Sequence, residues 1–71
     1  MPLLVAPIGA ELTVVKITAD EKTKRHLENL GIIVGGSIKS LSGGSGNIIV
    51  GIKNSRFAID SGLALKIHVN V

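Results

Sequence analysis

The chain has 71 residues and no cysteine, and it is 45% hydrophobic but only 1% aromatic. This length predicts one domain, residues 1–71, with a core of isoleucine, valine and leucine, which favour strands. The lack of cysteine excludes disulfides and thiolate metal sites. The net charge is +3, and the excess lies outside residues 20–30, where three bases and three acids cancel.

Residues 1–9 are apolar and contain two prolines, and we interpret them as an arm or lead-in strand packed on a sheet. No Lys or Arg precedes Lys16, so the basic region of a signal peptide is missing. The apolar run is also far shorter than the roughly 20 residues that span a bilayer. We therefore expect a cytoplasmic protein. Residues 11–17 then predict a first strand with apolar side chains on both faces.

The stretch TADEKTKRHLENLGIIVGG predicts a short amphipathic helix. Thr18 has capping-box spacing to Glu21, and Asp20 is a competing N-cap. One narrow apolar stripe on the predicted helix consists of Thr23, Leu27 and Leu30.

The predicted helix ends at a glycine. Gly31 suits the left-handed position just past a helix end, and Ile32 is spaced to fold back onto Leu27 in a Schellman motif. The elements predicted before and after this helix are strands.

Four further stretches predict strands: residues 37–42, which alternate poorly, 47–52, the hairpin partner that follows it with Phe57 and Ile59 toward the core, and 65–71. In the last of these, Leu65, Ile67, Val69 and Val71 are expected to face the core. Gly43–Gly46 is predicted as a hairpin loop, and residues 60–64 as a tight turn. The predicted fold is mostly β with one α-helix, arranged as a small closed or half-closed barrel.

Asn54–Ser55 is a suitable two-residue hairpin turn. With that turn, Gly51 opposes Ala58 and Lys53 opposes Arg56 on the outer face of the hairpin. Like charges that face each other across strands are unfavourable unless an anion meets them. We therefore predict that these four residues contribute to docking an acidic partner. The alternative interpretation is two long side chains in water.

No catalytic, cofactor or metal site is predicted, and the chain is not expected to be an enzyme. The serines lie in glycine-rich loops, and the loop at Gly43–Gly46 lacks the Lys-Ser/Thr of a phosphate loop. His26 and His68 have no metal-ligand spacing. Nucleic-acid binding remains an alternative, but the single aromatic residue, Phe57, is expected to face the core.

Four motifs in order resemble the ferrous iron transport protein A (FeoA) family. The most telling is the helix end with Leu27, Leu30, Gly31, Ile32 and Gly35. The others are Gly46-Asn47-x-Ile49-Val50, Ser55-Arg56-x-Ala58-Ile59 and Ala64-x-Lys66-Ile67. The resemblance implies an SH3-like barrel with a helix inserted after the first strand. It also implies a cytoplasmic accessory protein of the membrane ferrous iron permease FeoB.

Similar modules end the iron-dependent repressors of the diphtheria-toxin type, which implies a metal-dependent regulatory role as an alternative. No helix-turn-helix precedes the module here, so a stand-alone accessory protein is favoured. The small basic nucleic-acid-binding barrel is the third alternative.

Overall fold

The computed structural model describes residues 1–43 and 46–71, so the centre of the predicted loop, Gly44 and Ser45, lies outside the described residues. A 3₁₀ turn at Leu3–Val5 comes first. The strands and helices that follow are β1 (Glu11–Ile17), α1 (Glu21–Asn29), β2 (Ser37–Gly43), β3 (Asn47–Ile52), β4 (Ser55–Asp60), α2 (Ser61–Ala64) and β5 (Ile67–Asn70).

The strands form one antiparallel sheet in the order β4-β3-β2-β1-β5. The predicted mostly-β fold, with its main helix after the first strand, is confirmed. The sheet is not closed into a barrel, because no pairing joins β4 to β5 in the part of the chain that the structure describes.

The N-terminal arm packs along the sheet, as predicted. Pro2 bridges His68, and the Val69 N–H donates to the Met1 carbonyl at 2.7 Å. Leu3 is fully buried in the core. Further on, the Gly9 N–H donates to a β2 carbonyl at 2.8 Å. The arm therefore covers the outer edge of β5.

A β-bulge explains the apolar residues on both faces of β1. Val14 lies opposite Val69, and the register then shifts before Ile17 meets Ile67. Val14 is buried, while Val15 is exposed. Because the bulge adds one residue, Ile17 lies on the same face of β1 as Val14, whereas simple alternation would place it on the opposite face.

A second bulge explains the poor alternation of β2. The register with β3 shifts between Ser40 and Ser42, around Leu41. Ser40 is buried, and Leu41 is half-buried on the other side. The bulge turns Leu41 toward the outer face of the sheet, where it meets β3.

Asp20 is the N-cap of α1, and Thr18 is not. Its Oδ1 accepts a hydrogen bond from the Thr23 N–H at 2.9 Å. Hydrogen bonds from Thr23, its side chain first and its backbone second, lower the pKa of the Asp20 carboxyl below its ordinary value.

The predicted Schellman motif closes the helix. The Ile32 N–H donates to the Leu27 carbonyl and the Gly31 N–H to the Glu28 carbonyl, each at 2.9 Å. Gly31 has the required positive φ of 94°. Leu27 and Ile32 are both buried, so the helix end is part of the core.

Two residues predicted to face the core are exposed instead. Leu65 is 49% exposed and Val71 is 80% exposed. Leu65 caps the short helix α2 in a helical conformation, so the strand alternation begins only at Ile67. The core itself is aliphatic and consists of Leu3, Ala6, Leu12, Val14, Leu27, Ile32, Ile38, Ile48, Val50, Ile52, Ile59, Ala64, Ile67 and Val69.

Candidate functional site

The β3–β4 hairpin turns one residue earlier than predicted. The turn is Lys53–Asn54, and Ile52 lies opposite Ser55. Lys53 has a φ of 55°, the only positive value among the described non-glycine residues. Tight hairpin turns require positive φ, which asparagine tolerates better than lysine, and propensity therefore favoured a turn that began at Asn54.

The predicted cross-strand pairs on this hairpin are wrong. Gly51 lies opposite Arg56 and not Ala58, which lies opposite Ile49. Lys53 lies in the turn and opposes no residue. The partner of each β3 residue moves by two positions along β4. Because two is an even number, each side chain keeps its predicted face of the sheet.

The cation in line with Arg56 across the sheet is Lys39, and not Lys53 as predicted. Lys39 of β2 lies opposite Gly51 on the side away from Arg56. Neighbouring strands are about 4.8 Å apart, so the Cα atoms of Lys39 and Arg56 are about 10 Å apart across the glycine. Glu11 of β1 lies next in this row, opposite Lys39.

These residues border an open cleft of about 490 Å³ on the outer face of the sheet. Of the four residues predicted to dock a partner, Gly51, Lys53 and Arg56 line this cleft, whereas Ala58 does not. The full lining is Glu11, Ser37, Ile38, Lys39, Leu41, Gly51, Lys53, Asn54, Ser55 and Arg56.

The floor of the cleft is apolar because Leu41 lies against Gly51. A Cβ at Gly51 would come within 3.0 Å of Leu41 Cδ1. The missing side chain at Gly51 therefore leaves room for Leu41 on the outer face of the sheet. Glycine weakens most strands, but it often occurs where another group closely approaches the backbone.

The cleft is positively charged. Lys39, Lys53 and Arg56 are exposed cations, and Glu11 is the one carboxylate in the lining. An anionic group above Gly51 would have Lys39 and Arg56 on the two neighbouring strands and Lys53 in the adjoining turn. Because an apolar floor adjoins these cations, the cleft suits a ligand with a carboxylate beside an aliphatic or aromatic group.

The structure does not bring together the histidines that were considered as metal ligands. His26 is exposed on α1, whereas His68 is half-buried on β5 opposite Lys16. Within residues 1–43 and 46–71, no three His, Asp or Glu side chains are grouped to hold a metal ion. Neither helix in these ranges has the length and apolar character needed to cross a membrane.

The motif at the end of α1 has a structural role in this chain. Leu30 is half-buried, and Gly35 has a φ of 89°. The Gly35 N–H donates to the Val14 carbonyl at 2.7 Å, and the Val14 N–H donates to the Gly36 carbonyl at 2.9 Å. The motif thus closes the helix and pins the following turn onto β1.

Comparison with known proteins identifies the family of this chain. The model of the FeoA domain family matches residues 1–71, the whole chain. The chain belongs to the FeoA family. A Methanocaldococcus jannaschii relative named "Putative Fe(2+) transport protein A" is 38% identical over 68 residues, which cover 96% of this chain and 83% of that protein.

Solved structures of FeoA-family proteins and of longer regulators share the fold. A crystal structure of an iron uptake regulatory protein (FeoA) is 32% identical, with a TM-score of 0.86, over 97% of this chain and 92% of that one. A manganese-dependent transcriptional repressor is 26% identical, with a TM-score of 0.83, over 94% of this chain but only 39% of that one. The fold is SH3-like, and the FeoA family is an accessory family of ferrous iron transport.

Proposed function

We propose that this FeoA-family protein is a cytoplasmic accessory protein that regulates ferrous iron uptake by binding the membrane permease FeoB. Family membership supports the iron-transport role. The observation that supports a binding role is the cleft, where Lys39, Lys53 and Arg56 surround an apolar floor.

The binding surface on the permease is expected to be acidic, with an apolar group beside its carboxylates. Arg56 supplies a planar guanidinium that binds carboxylates with two hydrogen bonds, whereas Lys53 and Lys39 act as mobile point charges. The exposed cations chiefly accelerate association, and the contact with Leu41 slows dissociation.

The test measures binding of the full chain to the purified cytoplasmic domain of FeoB. The double variant Lys53→Glu, Arg56→Glu should bind at least about tenfold more weakly, and its association rate should depend less on salt. A matched control, Lys22→Glu, Arg25→Glu, makes the same charge change on the exposed face of α1.

Equal loss of binding in both double variants would mean that only net charge matters and that the cleft is not the site. Unchanged binding of the Lys53→Glu, Arg56→Glu variant would mean that these two side chains are simply solvated and do not contact the permease. Because all four substituted residues are exposed, the melting temperatures should stay close to that of the parent.

A second candidate function is a metal-dependent regulatory module. The likeness to the manganese-dependent repressor supports it, although this chain spans about two fifths of that protein. Calorimetry with ferrous or zinc ions tests it. A single tight site that is lost in His26→Ala or His68→Ala would favour this candidate over the accessory role.

A further inference from the structure

β4 is the one sheet end that the N-terminal arm does not cover. The direction of its backbone groups follows from a hydrogen bond beyond the strand end, in which the Ser61 N–H donates to the Gly46 carbonyl at 2.9 Å. Gly46 and Ser61 continue the register of Asn47 with Asp60. In an antiparallel ladder, alternate residues direct their backbone N–H and C=O groups toward the partner strand. Ser61 directs its N–H toward β3, so the backbone groups of Asp60, Ala58 and Arg56 point away from β3.

The backbone N–H and C=O groups of Arg56 and Ala58 therefore point to the open edge. Within residues 1–43 and 46–71, neither residue takes part in a backbone hydrogen bond outside the sheet ladder. The register of β4 with β3 has no bulge. This edge thus lacks the bulges and prolines that natural proteins use to prevent strand pairing, and its two charged residues, Arg56 and Asp60, have opposite signs.

We propose that the β4 edge pairs with the β4 edge of a second copy, antiparallel about Ala58. In this register Arg56 lies opposite Asp60 of the second copy, and Asp60 lies opposite its Arg56. Two ion pairs then flank the small Ala58–Ala58 contact at the centre. On the core side, Phe57 lies opposite Ile59 of the second copy, which extends the apolar face of both sheets.

The charges select this register over the neighbouring ones. A two-fold pairing must place residues of the same sheet face opposite each other. Pairing about Phe57 would set Arg56 against Ala58 and Asp60 against Asn54. Pairing about Ile59 would set Arg56 against Gly62. Only the pairing about Ala58 brings each Arg56 to an Asp60.

The position of Asp60 suits this role. Its Oδ1 accepts a hydrogen bond from the Leu63 N–H at 2.7 Å and caps α2. The cap holds the carboxylate at the end of β4 and leaves its second oxygen to accept from a guanidinium. The contact spans about five residues of each copy, so the dimer is weaker than one with an interface of standard size.

Sedimentation equilibrium of the full chain over a concentration series at low ionic strength tests the dimer. The parent should show a monomer–dimer equilibrium that salt weakens. Arg56→Glu should raise the dissociation constant at least about tenfold, because both ion pairs become like-charge contacts. Arg25→Glu, the same change on α1, should leave it unaltered.

Asp60→Asn keeps a capping oxygen but removes the charge, and it should weaken the dimer several-fold. Exchange of the Ala58 amide hydrogen should slow as concentration rises, whereas the Phe57 amide, already directed toward β3, should change little. Circular dichroism verifies that each variant is folded. If Asp60→Asn is not folded, the comparison of Arg56→Glu with Arg25→Glu decides the result.

A chain that stays monomeric throughout the series, or a dimer that Arg56→Glu and Arg25→Glu affect equally, would overturn the proposal. This inference goes beyond binding of the permease, and the two fail separately. Lys53→Glu should weaken permease binding and spare the dimer. Asp60→Asn should weaken the dimer and spare permease binding.

Discussion

Replacement of Leu27 by alanine should undock α1 from the sheet. Leu27 is 0% exposed and is the one buried residue of this nine-residue helix. An isolated helix of this length is unstable in water, so its order depends on tertiary contact. The other residues of the apolar stripe, Thr23 and Leu30, are only half-buried and cannot replace that contact.

The expected loss of unfolding free energy is about 3–4 kcal/mol. Removing a buried leucine side chain forfeits about 1.5–3 kcal/mol of transfer free energy. The cavity left behind raises the total into the 2–5 kcal/mol range typical of leucine-to-alanine changes. At roughly 0.05–0.15 kcal/mol per residue, the whole domain has about 4–11 kcal/mol of stability, so this one change removes a large share.

Urea denaturation followed by far-ultraviolet circular dichroism measures the loss. Lys22→Ala, on the exposed face of the same helix, is the matched control and should change stability by less than about 0.5 kcal/mol. Hydrogen exchange at the Ile32 amide, which donates to the Leu27 carbonyl, reports whether the helix end opens before the sheet does. A Leu27→Ala loss below about 1 kcal/mol would show that the helix does not depend on this contact.

Three further changes test the cleft and the helix cap. Lys53→Gly relieves a φ of 55°, so thermal melting should show stability unchanged or raised by up to about 1 kcal/mol while permease binding falls; a clear loss of stability would contradict the turn geometry. Gly51→Ala should cost about 1 kcal/mol in urea denaturation, because its Cβ crowds Leu41 at 3.0 Å, and that cost should vanish in a Leu41→Ala background. Asp20 has a folded-state pKa below 3.8, so its stabilising effect is present above that value and is lost as the pH falls through the folded pKa. Asp20→Asn does not titrate, so its melting temperature should fall less than that of the parent between pH 5 and acid conditions below the ordinary aspartate pKa; parallel curves would assign the acid sensitivity to other carboxylates.

Local sequence signals determined the helix and most of the strands. The spacing of Leu27, Gly31 and Ile32 predicted both the end of α1 and its hydrogen-bonded closure, because a Schellman motif depends only on residues close in sequence. Alternation likewise predicted β3 from its first residue to its last. Aliphatic composition and short length were enough to indicate a small, strand-rich core, because branched side chains favour strands and a short chain has room for one core only.

Tertiary contacts decided the candidate site. The turn at Lys53–Asn54 runs against local propensity, since lysine rarely adopts positive φ. The cross-strand register and the fit of Leu41 against Gly51 accompany this turn, and together they bring Lys39 to the cleft. Bulges in β1 and β2 add single residues that alternation cannot reveal, because the partner strand lies far away in the sequence. A tertiary contact also decided which sheet edge stays open. The N-terminal arm pairs with β5, although the two segments lie at opposite ends of the sequence.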